Sequence, residues 1–171
     1  ATLGWIRYAF ANSGTLTGIS TTNTIAVINE IKNNDFQGIV YGVTGSGSHT
    51  YINLTGATAT GNAASITGNT FTNLNVNTTG SVTFISQSYT ASATSVKNTN
   101  NNSIVTGFNK AGAGGTIIFI TDNGSSVTGA VSNCQNNNFS NGTLTGATAI
   151  TGFNYTDGGT AATRSVTGNT I

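Results

Sequence analysis

One asparagine recurs along this chain at nearly constant spacing, and that recurrence limits the possible folds more than any other feature. The segments IKNNDF (31–36), ITGNTF (66–71), TNNNSI (99–104), CQNNNF (134–139) and VTGNTI (166–171) align on Asn34, Asn69, Asn102, Asn137 and Asn169. Successive copies lie 35, 33, 35 and 32 residues apart. Each reads apolar or Thr, any two residues, Asn, any residue, then Phe or Ile. A second small or apolar residue stands three positions before the first, as Ile28, Ala63, Val96, Val131 and Thr163. A further copy is expected to begin at Leu3, 33 residues before Phe36.

Between these copies lies another recurring segment: TLTGI (15–19), TYINL (50–54), SVTFI (81–85), TIIFI (116–120) and TAITGF (148–153). Its length and β-branched content are those of a strand. Turn-forming punctuation such as TGSGSH, NTTG, AGAGG, DNGSS and DGGT separates the segments. Nothing sustains a helical period, and the Gly and Thr content disfavours helix.

A unit of about 33 residues with three short strands cannot bury its apolar positions alone, so it must stack on its neighbours. Coiling places equivalent residues above one another about 4.8 Å apart, each turn pairing in parallel with the next. The expected fold is all-β: a right-handed parallel β-helix of about five rungs of 32–35 residues, with an asparagine ladder at one corner. Asn tolerates the left-handed backbone that such a corner requires, and stacked amides hydrogen-bond along their column. Residues 1–171 form a single β-helix domain on this reading, expected to be part of a longer repeat array.

Composition narrows the partners. Gly, Thr, Asn and Ser make up 96 of the 171 residues, while only 5% are charged. A net charge of +1 provides no field for a phosphate backbone, so nucleic acid is not an expected partner. No apolar run is long enough to span a membrane as a helix. The start ATLGWIRYAF lacks the charged and apolar regions of a signal peptide, so a processed or excised chain is expected.

The Asn-x-[Phe/Ile] turn, with its apolar residue three positions earlier, resembles the repeats of right-handed parallel β-helix proteins of the pectate-lyase-like superfamily. That resemblance implies that Asn34, Asn69, Asn102, Asn137 and Asn169 line a tight turn between two strands. The Ser/Thr/Asn/Gly-rich, charge-poor version resembles large secreted surface proteins of gliding bacteria, which implies an extracellular or cell-surface location and the type IX secretion machinery as a partner.

Enzymes of the pectate-lyase-like fold cluster acidic and basic residues on neighbouring rungs. The acidic residues here are Glu30, Asp35, Asp122 and Asp157. Glu30 and Asp35 flank Asn34 and read as a solvated corner near Lys32. Asp122 and Asp157 each follow their repeat asparagine by 20 residues, in TDNG and TDGG. Stacking would bring these carboxylates together, where they must be protonated, splayed or bridged, and a hard-oxygen site would suit Ca²⁺. Asp before a Gly is equally a plain turn signal. Lys97 and Arg164 share a repeat position two rungs apart and read as isolated surface charges. His49 reads as a lone exposed loop histidine. Cys134 aligns with Ile31, Ile66, Thr99 and Val166 and reads as a small buried side chain.

The segment TIIFI is apolar on both alternating faces, so a loop or a partner is expected to cover its outside. Pairs such as Thr15/Thr17, Thr58/Thr60, Thr70/Thr72 and Thr143/Thr145 could suggest ice binding, but they do not recur at one repeat position. The expected function is a structural or adhesive segment of a secreted or cell-surface protein: a stalk, adhesin body or fibre unit, with no enzymatic activity. The alternatives are a fragment of a carbohydrate-active β-helix using Asp122 and Asp157, and a self-assembling or ice-binding solenoid. Expected partners are accordingly further copies or flanking repeats joined end to end, and surface carbohydrate.

Overall fold

The computed structural model describes residues 6–22, 28–57, 59–159 and 163–171. The copy expected at Leu3 lies outside them. The chain enters through β1 (Ile6–Tyr8), β2 (Leu16–Thr21), β3 (Asn29–Lys32) and β4 (Asp35–Gln37). The next turn repeats this order as β5 (Ile39–Gly45), β6 (His49–Ala57), β7 (Ala63–Thr67) and β8 (Thr70–Thr72). It is followed by β9 (Asn75–Thr78), β10 (Val82–Thr90), β11 (Val96–Asn100) and β12 (Ser103–Thr106). Then come β13 (Phe108–Lys110), β14 (Thr116–Asp122) and β15 (Val131–Gln135), and finally β16 (Gly142–Leu144), β17 (Ala149–Tyr155) and β18 (Thr163–Thr167).

Equivalent strands stack into four parallel sheets, in the orders β1-β5-β9-β13-β16, β17-β14-β10-β6-β2, β18-β15-β11-β7-β3 and β12-β8-β4. Every strand pairing is parallel, and the body is a β-helix of about four complete turns. Each of the first three turns carries four strands rather than the three that the sequence suggests. The additional one is the three- or four-residue strand after Asn34, Asn69 and Asn102, continued at Asn138 by isolated bridges to Ser103 and Thr170.

The five asparagines stack into one column. Nδ2 of Asn34, Asn69, Asn102 and Asn137 donates to Oδ1 of the next asparagine, each time at 2.9 Å. The same Oδ1 also accepts the backbone N–H of the asparagine before it, at 3.0–3.1 Å. Nδ2 of Asn69, Asn102, Asn137 and Asn169 reaches back to the carbonyls of Ile31, Ile66, Thr99 and Cys134. Buried amides are thereby satisfied on both sides, which removes the cost of desolvating them.

The left-handed residue of the corner is not the ladder asparagine but its predecessor: Asn33, Gly68, Asn101, Asn136 and Gly168 have φ between 55° and 67°. Asn and Gly are the residues that tolerate this conformation, and they alone occupy the position. Two residues beyond each ladder asparagine the side chain turns inward. Phe71, Ile104 and Phe139 there join Phe84, Phe108 and Phe119 in the core. Ring centroids lie 5.0 Å apart for Phe119 and Phe139 and 4.9 Å apart for Phe71 and Phe84.

The segment TIIFI needs no cover. Phe119 and Ile120 are both buried although they are adjacent, and Ile118 alone faces outward, half-buried. Phe84 with Ile85, and Tyr51 with Ile52, do the same one and two turns earlier. The strand bends at an aromatic-Ile pair, so consecutive residues point into the cylinder. The second apolar column, Ala63, Val96, Val131 and Thr163, stacks in register but lies on the outer face, and Ile28 precedes its strand and is exposed. Three residues is an odd number of strand steps, which puts it opposite the Ile66 and Cys134 column.

Candidate functional site

The polar chemistry of this chain lies inside the cylinder. Lys97 in β11 is 1% exposed, not a surface charge. Its column runs Ala64, Lys97, Ser132 and Arg164, and the strand face that buries Ala64 buries the lysine too. Lys97 Nζ donates to Asp122 Oδ1 at 2.7 Å, to Asp157 Oδ2 at 2.9 Å and, at 3.5 Å, to the Tyr89 carbonyl. Three donors meet three acceptors, so the ammonium is fully used.

Asp122 closes β14, and Asp157 lies two residues beyond β17, one turn on. Coiling stacks the two carboxylates as their common offset from the ladder implies, and the position between them that a bridging cation would take is held by Lys97 Nζ. The acids differ in their surroundings. Asp157 Oδ1 accepts the Ser126 N–H at 2.7 Å and the Gly159 N–H at 3.2 Å, and Oδ2 accepts the Ser126 hydroxyl. Arg164, whose side chain is 33% exposed, lies 3.6 Å from Asp157 Oδ1. Burial works against ionisation of Asp157, but the bonds from Ser126 and Lys97 outweigh it and hold the carboxyl down at about 2. Asp122 Oδ1 has, besides Lys97, a 3.4 Å bond from the Gly124 N–H. Burial dominates there and raises its pKa against the pull of Lys97.

Around this trio the interior corner is polar. Thr99 donates to Gln87 Oε1, and Tyr155 donates to the Ser132 hydroxyl. The Tyr155 phenol is raised to about 12, first by burial. Cys134 neighbours this corner, buried, with Asn137 Nδ2 at 3.6 Å from Sγ. Burial and then the Asp122 charge push its thiol up to about 12, so it is not a thiolate nucleophile at neutral pH.

A second buried cation was not singled out in the sequence. Lys110 Nζ donates to the carbonyls of Thr78, Gly112 and Gly114 at 2.6–2.8 Å. His49, expected in an exposed loop, instead opens β6 and is 1% exposed, its ring centroid 4.5 Å from that of Tyr41. Neither imidazole nitrogen has a hydrogen-bond partner. Burial first and the Lys110 charge second lower its pKa to about 4.

The remaining acids are at the surface, as the sequence suggests. Glu30 pairs with Lys32, both exposed. Asp35 Oδ1 accepts the Thr70 and Thr72 hydroxyls at 2.9 Å each. Among the described residues no group of three or more His, Cys, Asp or Glu side chains is placed to hold a metal ion.

The outer face of the β2-β6-β10-β14-β17 sheet is regular. Thr17, Thr50, Thr83, Ile118 and Thr151 form one column, and Ser20, Asn53, Ser86, Thr121 and Asn154 the next. Thr-x-Thr spacing does not mark this array, because the bend sets its two columns three residues apart.

Fold and interior together define a parallel β-helix with a sealed charge cluster. Comparison with protein families, with curated proteins and with solved structures found no match for the chain.

Proposed function

We propose that this chain is a non-enzymatic structural or adhesive segment of a secreted or cell-surface β-helix protein, a stalk, adhesin body or fibre unit. The observation that carries this reading is the placement of Asp122 and Asp157. They are the acids on which a carbohydrate-cleaving role would rest, and both are buried against Lys97 inside the cylinder. A glycosidase needs two carboxyls across an open cleft with room for sugar and water. The ladder supports kinship with the pectate-lyase-like superfamily, and the neutral Ser/Thr/Asn/Gly surface supports an extracellular location. The test is incubation with a panel of soluble and insoluble polysaccharides. No product release is expected, and hydrolysis or lyase cleavage abolished by Asp157→Asn would overturn the reading.

The Thr and Ser/Asn columns favour one further reading, in which the regular outer face adheres to an ordered surface such as ice or a crystalline polysaccharide. Thermal hysteresis and pull-down on insoluble glycan measure this directly. Thr50→Lys with Thr83→Lys should abolish either signal, and a signal indifferent to both substitutions would exclude this face.

A further inference from the structure

Lys97, Asp122 and Asp157 form more than an ion-paired trio. An amine and two carboxylates are in hydrogen-bond contact, shielded from water, and the two carboxyl groups are held in different protonation environments. We propose that Lys97 and Asp122 condense within the folded chain to an intramolecular amide cross-link, with Asp157 relaying the protons.

The roles follow from the contacts. The acyl donor must be a protonated carboxyl, and Asp122 is the acid with fewer hydrogen-bond donors, whose burial favours the protonated form. Asp157 is held ionised by the Ser126 and Gly159 N–H groups, the Ser126 hydroxyl and nearby Arg164, so it is a poor electrophile but a fixed proton acceptor. Lys97 passes one proton to Asp122, leaving a neutral amine beside a neutral acid. Nζ then attacks Cγ of Asp122, and Asp157 takes a second proton from the nitrogen. It returns that proton to the departing hydroxyl, which leaves as water. One N–C bond forms and one C–O bond breaks, an ammonium and a carboxylate become an amide and water, and no redox partner is needed.

Fixed geometry supplies the rate: holding amine and carboxyl in contact replaces a bimolecular encounter with a unimolecular step. Burial supplies direction, since two desolvated charges are costly to keep out of water and a neutral amide is not. After condensation the Asp157 carboxylate still has Arg164 as its counter-charge and the new amide N–H as a donor in place of the ammonium. The cross-link would join two residues 25 apart in sequence, closing the chain from Lys97 in β11 to Asp122 at the end of β14 into a covalent ring that spans most of one turn. A turn so closed cannot be peeled away by a pull along the chain.

Intact mass of the denatured protein, after storage at neutral pH, tests this. The wild type should be one water lighter than its sequence. Trypsin should fail to cut after Lys97 and should release a single branched peptide joined at Asp122. Lys97→Arg and Asp157→Asn should both show full sequence mass, with circular dichroism confirming that they are folded. Full sequence mass for the folded wild type, or a branch at Asp157, would overturn the proposal whatever the variants do. Neither result bears on the structural role proposed above, which polysaccharide turnover tests separately.

Discussion

His49 shows how one side chain can set a pH limit on the whole fold. The folded protein holds it neutral with a pKa of about 4, against 6.5 for the free side chain. Because burial lowers this pKa, the stability it permits is complete above 6.5 and is lost as pH falls through the window down to about 4. Over that window the loss is on the order of 3 kcal/mol, a sizeable part of a typical total. As a free carboxyl, before any condensation with Lys97, Asp122 acts in the opposite sense, because its raised pKa makes its ionisation unfavourable to folding and acid relieves it. The urea midpoint should therefore fall between pH 7.5 and 4.5, and His49→Phe, which keeps a ring against Tyr41, should flatten that fall. Cys134 gives a second test at this scale. A buried thiol raised to about 12 should resist a maleimide or disulfide reagent in the native protein and react at once in urea. Fast labelling of the folded chain would show that the corner opens.

Among the elements, the asparagine corner and the bent strand do most to hold one turn on the next. Asn102 accepts from Asn69 and donates to Ile66 and Asn137, all within the buried part of the column. Truncating it orphans several groups at once. Asn102→Ala should cost roughly 2–4 kcal/mol by urea unfolding, from about 1–3 kcal/mol for each buried group left unpaired. Asn34→Ala, at the partly exposed start of the ladder, should cost less than about 1 kcal/mol. Equal losses would mean that the column carries no cooperative burden. The bend makes an equally sharp distinction within one segment. Ile120→Thr should destabilise by about 2 kcal/mol or more, losing packing and burying a hydroxyl. Ile118→Thr merely restores the outward threonine found at Thr50, Thr83 and Thr151, and should be nearly neutral.

For the whole molecule, stacking makes stability a sum over turns and their interfaces. Each strand pairs with its equivalents one turn away, and β16, β17 and β18 pair with β13, β14 and β15 alone among the described strands. Removing residues 142–171 should leave a cooperatively folded β-helix with a lower urea midpoint and a smaller m-value, since less surface is exposed on unfolding. Complete unfolding of that shortened chain would mean that the last turn closes the core for all the others. The sealed charge cluster adds a cross-turn tie of its own, because Asp157 meets a lysine 60 residues earlier.

The sequence alone determined the repeat, the ladder and the inward Phe or Ile two residues on. These signals recur in every turn, and a position that must do the same job five times declares itself by spacing. The left-handed corner residue is different: the sequence pattern points to the ladder asparagine, whereas the structure puts the positive φ on the Asn or Gly before it. Tertiary structure alone decided the fate of Lys97, Lys110 and His49, which sequence placed on the surface or passed over. Each occurs once, so no period marks it, and its direction depends on which strand face it occupies and where the strand bends. The charge cluster was half visible: the equal offsets of Asp122 and Asp157 placed them together, but nothing local linked them to Lys97. A buried charge is tolerated only where the fold supplies partners for it, carboxylates from later turns for Lys97 and backbone carbonyls for Lys110, and the linear order of residues does not carry that proximity.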